Sequence, residues 1–149
     1  MSEFKVERNR DAWATIRGYV YQLNITLKRW LEISDNITLE LECGEDIDQV
    51  SSSLVGDSIA FERMLEQVKH LEHNITIRSD ESKYAFVCLF EHMESNPGEK
   101  IILRLVSNAS IGKERLNPFR SEQPGIVLWK KYNTGNLSTT EARYFLDGL

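Results

Sequence analysis

Apolar residues recur at steps of three and four from Trp13 through Ile16, Val20, Leu23 and Leu27 to Trp30 and Leu31, and just downstream the period changes. After the polar turn Ser34-Asp35-Asn36, Ile37, Leu39 and Leu41 alternate with Thr38, Glu40 and Glu42. The first pattern predicts an amphipathic helix from Asp11 to about Ile33, with Gly18 inside it; the second predicts a half-buried strand over 37–42. A chain that makes this switch has to lay helix against sheet, because neither element buries its apolar side alone.

Gly44 marks a kink before a second short strand, 46–50, and 51–58 is turn-rich. The segment 59–71 fits two descriptions. Phe61, Leu65 and Val68 suit a strand or a helix face, and Met64 and Leu71 extend the helical one. A short strand at 75–77 precedes Ser79-Asp80-Glu81-Ser82, which supplies an N-cap and first-turn acids for a helix to about Met93. Asn96-Pro97-Gly98 stops it. Residues 101–106 are nearly all apolar, as in a strand covered on both faces. Beyond Asn117-Pro118 and Gln123-Pro124-Gly125, helices are predicted over 126–132 and 137–149, the last opened by a capping box from Ser138 to Glu141. This order predicts an α/β domain with a mixed central sheet flanked by helices. The last helix runs out without a stop signal, so residues 1–149 read as a single domain, either alone or as the N-terminal part of a longer multidomain protein.

The 149 residues are 41% apolar, enough for one core, and the net charge is −5. That charge weighs against a protein that coats nucleic acid through overall basicity. Charge is nonetheless segregated: Glu40, Glu42, Glu45, Asp46 and Asp48 load one segment, while Lys113, Arg115, Arg120, Lys130 and Lys131 gather later. Cys43 and Cys88 fit neither a disulfide framework nor a metal spacing and read as buried thiols in a reducing compartment. With no run of eighteen apolar residues, the expectation is a cytoplasmic protein with no membrane partner. Trp13, Trp30 and Trp129 read as packing residues, and His70 and His73 as surface residues. Gly44, Gly56 and Gly112 stand alone, so no phosphate-binding loop is present.

Glu66-Gln67-Val68-Lys69 follows Glu45-Asp46-Ile47-Asp48 by about twenty residues. If both stretches are extended, side chains two apart share a face, and Asp46 with Asp48, and Gln67 with Lys69, converge on one surface. Hard cations prefer oxygen ligands, so the Asp46 carboxylate, the Val68 main-chain carbonyl and the Gln67 amide oxygen suit Mg²⁺. Lys69 would orient or deprotonate an attacking water, or offset charge in the transition state. Glutamine at 67 lowers the charge of the site and with it the metal affinity.

Four blocks carry a wider resemblance: Arg17-Gly18-Tyr19-Val20-Tyr21-Gln22, Glu42-Cys43-Gly44-Glu45-Asp46-Ile47, Glu66-Gln67-Val68-Lys69-His70, and Leu103 to Ala109 with Ile111-Gly112-Lys113-Glu114. Together they resemble the N-terminal nuclease domain of bacterial CBASS anti-phage effectors, in which a SAVED domain senses a cyclic oligonucleotide. Those nucleases belong to the PD-(D/E)xK, restriction-endonuclease-like superfamily. The resemblance implies a restriction-endonuclease-like fold and Mg²⁺-dependent hydrolysis of double-stranded DNA with low sequence specificity. It places the metal-binding acid on Asp46, the Gln-x-Lys pair on Gln67 and Lys69, and a supporting helix glutamine on Gln22. Asp48 competes with Asp46 for the acidic role. It also implies a homo-oligomer or an assembly with a sensor or ATPase module. The rival reading is a non-catalytic scaffold of nuclease fold that docks a partner, favoured by Gln67 and by the acidic total charge. Cleavage of RNA or single strands by the same site stands third.

Overall fold

The computed structural model describes residues 12–149. Helix α1 spans Ala12–Glu32; its expected start at position 11 lies outside the described residues. Three strands follow, β1 (Ile37–Leu41), β2 (Ile47–Val55) and β3 (Ser58–Lys69), then α2 (Asp80–Ser95), β4 (Lys100–Ser107), α3 (Gly125–Asn133) and α4 (Thr139–Asp147). The sheet order is β1-β2-β3-β4, with the first two pairings antiparallel and β3–β4 parallel. A parallel neighbour needs a crossover connection, and α2 supplies it. The chain is therefore a mixed α/β domain.

The segment that fitted both strand and helix is extended: β3 is paired along its length, to β2 on one side and β4 on the other. Residues 51–55, expected to be turn, belong to β2. Serine has little preference for strands, but the ladder from Ile47↔Glu66 to Val55↔Ser58 overrides it. A two-residue turn at Gly56-Asp57 closes this hairpin, and glycine suits the positive φ of 63° there. The strand expected at 75–77 reduces to one bridge, Ile75↔Ile111. Strand β4 is covered less than its apolar sequence implied: α2 packs on it while α1 lies over β3, and Ile102 stays partly exposed.

Consecutive strand residues point to opposite faces. Glu66 meets Arg29 of α1, and Gln67 meets Cys88 of α2, so the two helices cover opposite faces of β3. The way α1 docks reverses the expectation from its periodicity. Its polar side faces the sheet, with Gln22 donating to Glu42 Oε1 at 2.6 Å, Arg29 to both Glu66 oxygens and Arg17 to Glu72 at 2.7 Å. Its apolar side faces outward: Trp30 is 62% exposed and Leu31 79%. Trp13 is likewise exposed, whereas Trp129 packs edge-on against Phe86 as expected.

One buried cluster, Ile77, Phe119, Leu128 and Phe145, joins α3 and α4 to the loops that precede α2 and α3. Gly125 opens α3 where a Cβ would come within 2.5 Å of both Ile77 and Phe119, and its N–H donates to Glu114. Leu65, Ala85 and Cys88 are buried between β3 and α2, while Ile47 and Val68 are buried on the face of the sheet that carries Glu66. Cys43 is exposed, against expectation, because it sits in the bend between β1 and β2. No described helix is long and apolar enough to cross a membrane.

Candidate functional site

The β2–β3 ladder ends at Ile47↔Glu66. One residue earlier, in the bend, Asp46 reaches over this end, and its Oδ2 accepts the Val68 N–H at 2.6 Å. In a strand, a residue's N–H and C=O face the same neighbour. The Val68 carbonyl is thus directed to the side of β3 where Asp46 sits. Lys69 lies close enough for its charge to act on Asp46. Desolvation pushes the Asp46 carboxyl above its ordinary range, against the opposing pull of the Val68 N–H and the Lys69 ammonium; the charges of Glu42 and Glu45 push it up further.

Gln67 is 1% exposed, and its amide nitrogen donates to Glu45 Oε2 at 3.0 Å and weakly to Cys88 Sγ at 3.5 Å. The other Glu45 oxygen lies 3.2 Å from His92 Nε2 on α2. A carboxylate accepts and does not donate, so Glu45 fixes which end of the amide carries nitrogen. Gln67 Oε1 is left buried with no hydrogen-bond partner. Such an orphan carries a free-energy penalty until something fills its lone pairs. It is the atom expected to bind a cation.

The remaining sequence candidates fall outside this group. Asp48 is fully buried with both oxygens engaged: Oδ2 accepts from Gly44 N at 2.9 Å and Arg63 at 3.0 Å, and Oδ1 from Glu45 N at 3.1 Å. It shapes the bend that presents Glu45 and Asp46. The expected pairing of Asp46 with Asp48 assumed a strand through both, but β2 begins at Ile47. Gln22 holds Glu42, not Asp46. His70 stacks edge-on with Tyr21, and His73 pairs with Glu81. Of the later basic residues, Lys113 is tied to Glu122 and Arg120 lies over the Tyr144 ring.

Among the described residues no three His, Cys, Asp or Glu side chains converge as a metal-binding group. A cation here would rely on Asp46 together with the neutral oxygens of Gln67 and Val68, a donor set suited to Mg²⁺. Glu45 and His92 escaped the sequence reading. Glu45 left one sign, its place beside Asp46 in the acidic run; His92 left none, because the contact spans 47 positions.

Two expected results test this arrangement. Asp46→Asn keeps an acceptor for the Val68 N–H and removes a carboxylate that folding desolvates. Because the folded state raises the Asp46 pKa, the ionised group costs stability above that raised pKa, and the cost vanishes as pH falls below the ordinary 3.8. The variant should melt higher than the parent at neutral pH, with the gain gone near pH 3; equal melting curves at pH 7 would remove desolvation as the cause. Gln67→Glu, in contrast, replaces the amide that Glu45 accepts with a second buried carboxylate. Like charges in one site force one of them to take up a proton. The expected cost is about 2 kcal/mol at pH 7 and above, relieved as pH falls through the raised pKa toward the ordinary glutamate value of about 4.3. Urea midpoints measured across pH would read it.

No protein-family model, curated protein or solved structure matches the chain.

Proposed function

We propose that the chain is a Mg²⁺-dependent endonuclease domain acting on double-stranded DNA with little sequence preference. The observation that carries this reading is the buried, unpartnered Gln67 Oε1, on the strand whose next two residues, Val68 and Lys69, both act on Asp46. The mixed sheet with helices on both faces of β3 suits a restriction-endonuclease-like fold. The four sequence blocks support a place in bacterial anti-phage defence, alongside a sensor or ATPase module and in the cytoplasm, where Cys43 and Cys88 would remain thiols.

Asp46, Gln67 Oε1 and the Val68 carbonyl would hold the cation. When bound, it supplies Lewis-acid polarisation of the phosphoryl oxygen and lowers the pKa of a water. The chain's own groups do the rest. Lys69 orients the attacking water and offsets negative charge developing on phosphorus. Glu45, with His92 behind it, holds the Gln67 amide nitrogen and so leaves the buried Oε1 without a protein partner. A site at the end of the β2–β3 ladder, where Asp46 and Lys69 are half-buried, suits a long duplex. The 590 Å³ groove that His92 lines with Cys43, Gly44 and Arg63 includes none of Asp46, Gln67 and Lys69.

A non-catalytic scaffold is the second reading, favoured by the lack of a three-acid cluster among the described residues. Supercoiled plasmid incubated with the protein and Mg²⁺ separates the two. Nicking or linearisation that EDTA abolishes supports the nuclease. Intact plasmid, together with a melting temperature indifferent to Mg²⁺, supports the scaffold.

A further inference from the structure

Ile16, Val20, Leu23, Leu27 and Trp30 follow one another at intervals of four, three, four and three residues. This is the a/d repeat of a two-helix seam, in which residues spaced on average 3.5 apart interlock with a second helix. Within one chain the seam is left exposed. The sheet is met by the other side of α1, through Gln22 and Arg29, while the seam residues range from 43% exposed at Leu23 to 62% at Trp30, with Leu31 beside them at 79%.

Size and charge select the occupant. These large side chains and Tyr19, at half exposure or more for most, present on the order of 800 Å² of surface along a helix about 30 Å long. The largest apolar patch on a typical monomer is roughly 300–600 Å². About 800 Å² is what each partner contributes to a standard interface. The positions flanking the seam, Tyr19, Asn24, Thr26 and Leu31, are uncharged, and Arg17 is ion-paired to Glu72 on its own chain. Two copies can therefore face each other along α1 without like charges meeting, as a two-fold isologous contact requires.

We infer that α1 is a homodimer interface, pairing with α1 of a second copy of this chain through a coiled-coil-like seam. The inference does not depend on the nuclease reading, since no residue of the seam belongs to the Asp46–Gln67–Lys69 group. In such a dimer each copy would bring its own Asp46–Gln67–Lys69 group, so two sites would share one assembly.

Light scattering coupled to size exclusion on the full chain tests it. At about 100 µM, well above a micromolar Kd, the expected mass is twice the 17.3 kDa of one chain. Leu23→Glu with Leu27→Glu should weaken association about 10⁴-fold, enough to give the single-chain mass at that concentration, because each charge would be buried unpaired in the seam. Far-UV circular dichroism should stay that of the parent, since both leucines are solvent-facing within one chain. The milder Leu27→Gln repeats the test should the double variant misfold. Lys28→Glu, exposed on α1 outside the repeat, should leave the dimer intact. A single-chain mass for the parent, or a dimer that survives both glutamates, overturns the inference.

Discussion

Replacing Glu66 by alanine is expected to cost about 3–5 kcal/mol, the range for removing one member of a buried ion pair. Glu66 is fully buried and accepts from four donor contacts: Arg29 Nε reaches both oxygens at 3.0 and 2.9 Å, Gln49 Nε2 reaches Oε1 at 2.8 Å, and Arg104 Nη1 does so at 2.8 Å. Those contacts tie α1, β2 and β4 to the middle of the sheet. Without the carboxylate, Arg29, only 17% exposed, keeps its charge and loses its main counterion, since its other acid, Glu32, lies at 3.5 Å and is half exposed. Arg104 is 45% exposed and can turn to solvent at small cost. The penalty therefore falls on α1, which has no fully buried residue to hold it by packing. Against a usual total stability of about 5–15 kcal/mol, the loss is a large fraction of what holds the fold. Urea denaturation followed by tryptophan fluorescence would measure it, with Trp30 reporting beside Arg29. Glu66→Gln retains one oxygen acceptor and should lose less. An alanine variant within 1 kcal/mol of the parent would show that solvent, not Glu66, satisfies Arg29.

How much of this was legible in the sequence depends on whether neighbours along the chain or partners across it decide. The extent of α1 could be read because a 3.6-residue period is a local property, and so could the capping box at Ser138 and the N-cap at Ser79. Which side of α1 turns inward could not. The expectation that Trp30 packs inside fails because Arg29 finds a carboxylate on β3 and Gln22 one in the bend after β1, contacts spanning 37 and 20 positions. Phe61, Leu65 and Val68 satisfied both periods, and only the strands on either side settle β3. At the site, Gln67 and Lys69 were legible because a two-residue interval places them on one face of any strand. Asp48 was given a shared surface with Asp46 on the same rule, but the rule lapses where β2 has not yet begun. The Glu45–His92 contact lay beyond any local rule.

Removing either the Lys69 ammonium or the Asp46 carboxylate should abolish plasmid cutting while leaving the fold in place. Lys69 is partly exposed and is the final residue of β3, and alanine there deletes the ammonium while keeping the strand's backbone pairing. The expected loss is about 10³-fold, the scale seen when a single group that stabilises developing charge is removed, equivalent to about 4 kcal/mol of transition-state energy. Asp46→Ala should match it for another reason, since the site would then offer a cation only the neutral oxygens of Gln67 and Val68. The two losses are distinguishable by Mg²⁺ itself. In Lys69→Ala the oxygens remain, so added Mg²⁺ should still raise the melting temperature, as any ligand that binds only the folded state does. In Asp46→Ala that rise should disappear. Folded variants that cut at the parental rate would refute the catalytic assignment. A Mg²⁺ response that persists without Asp46 would move the cation elsewhere, because the proposal makes this carboxylate its one anionic ligand.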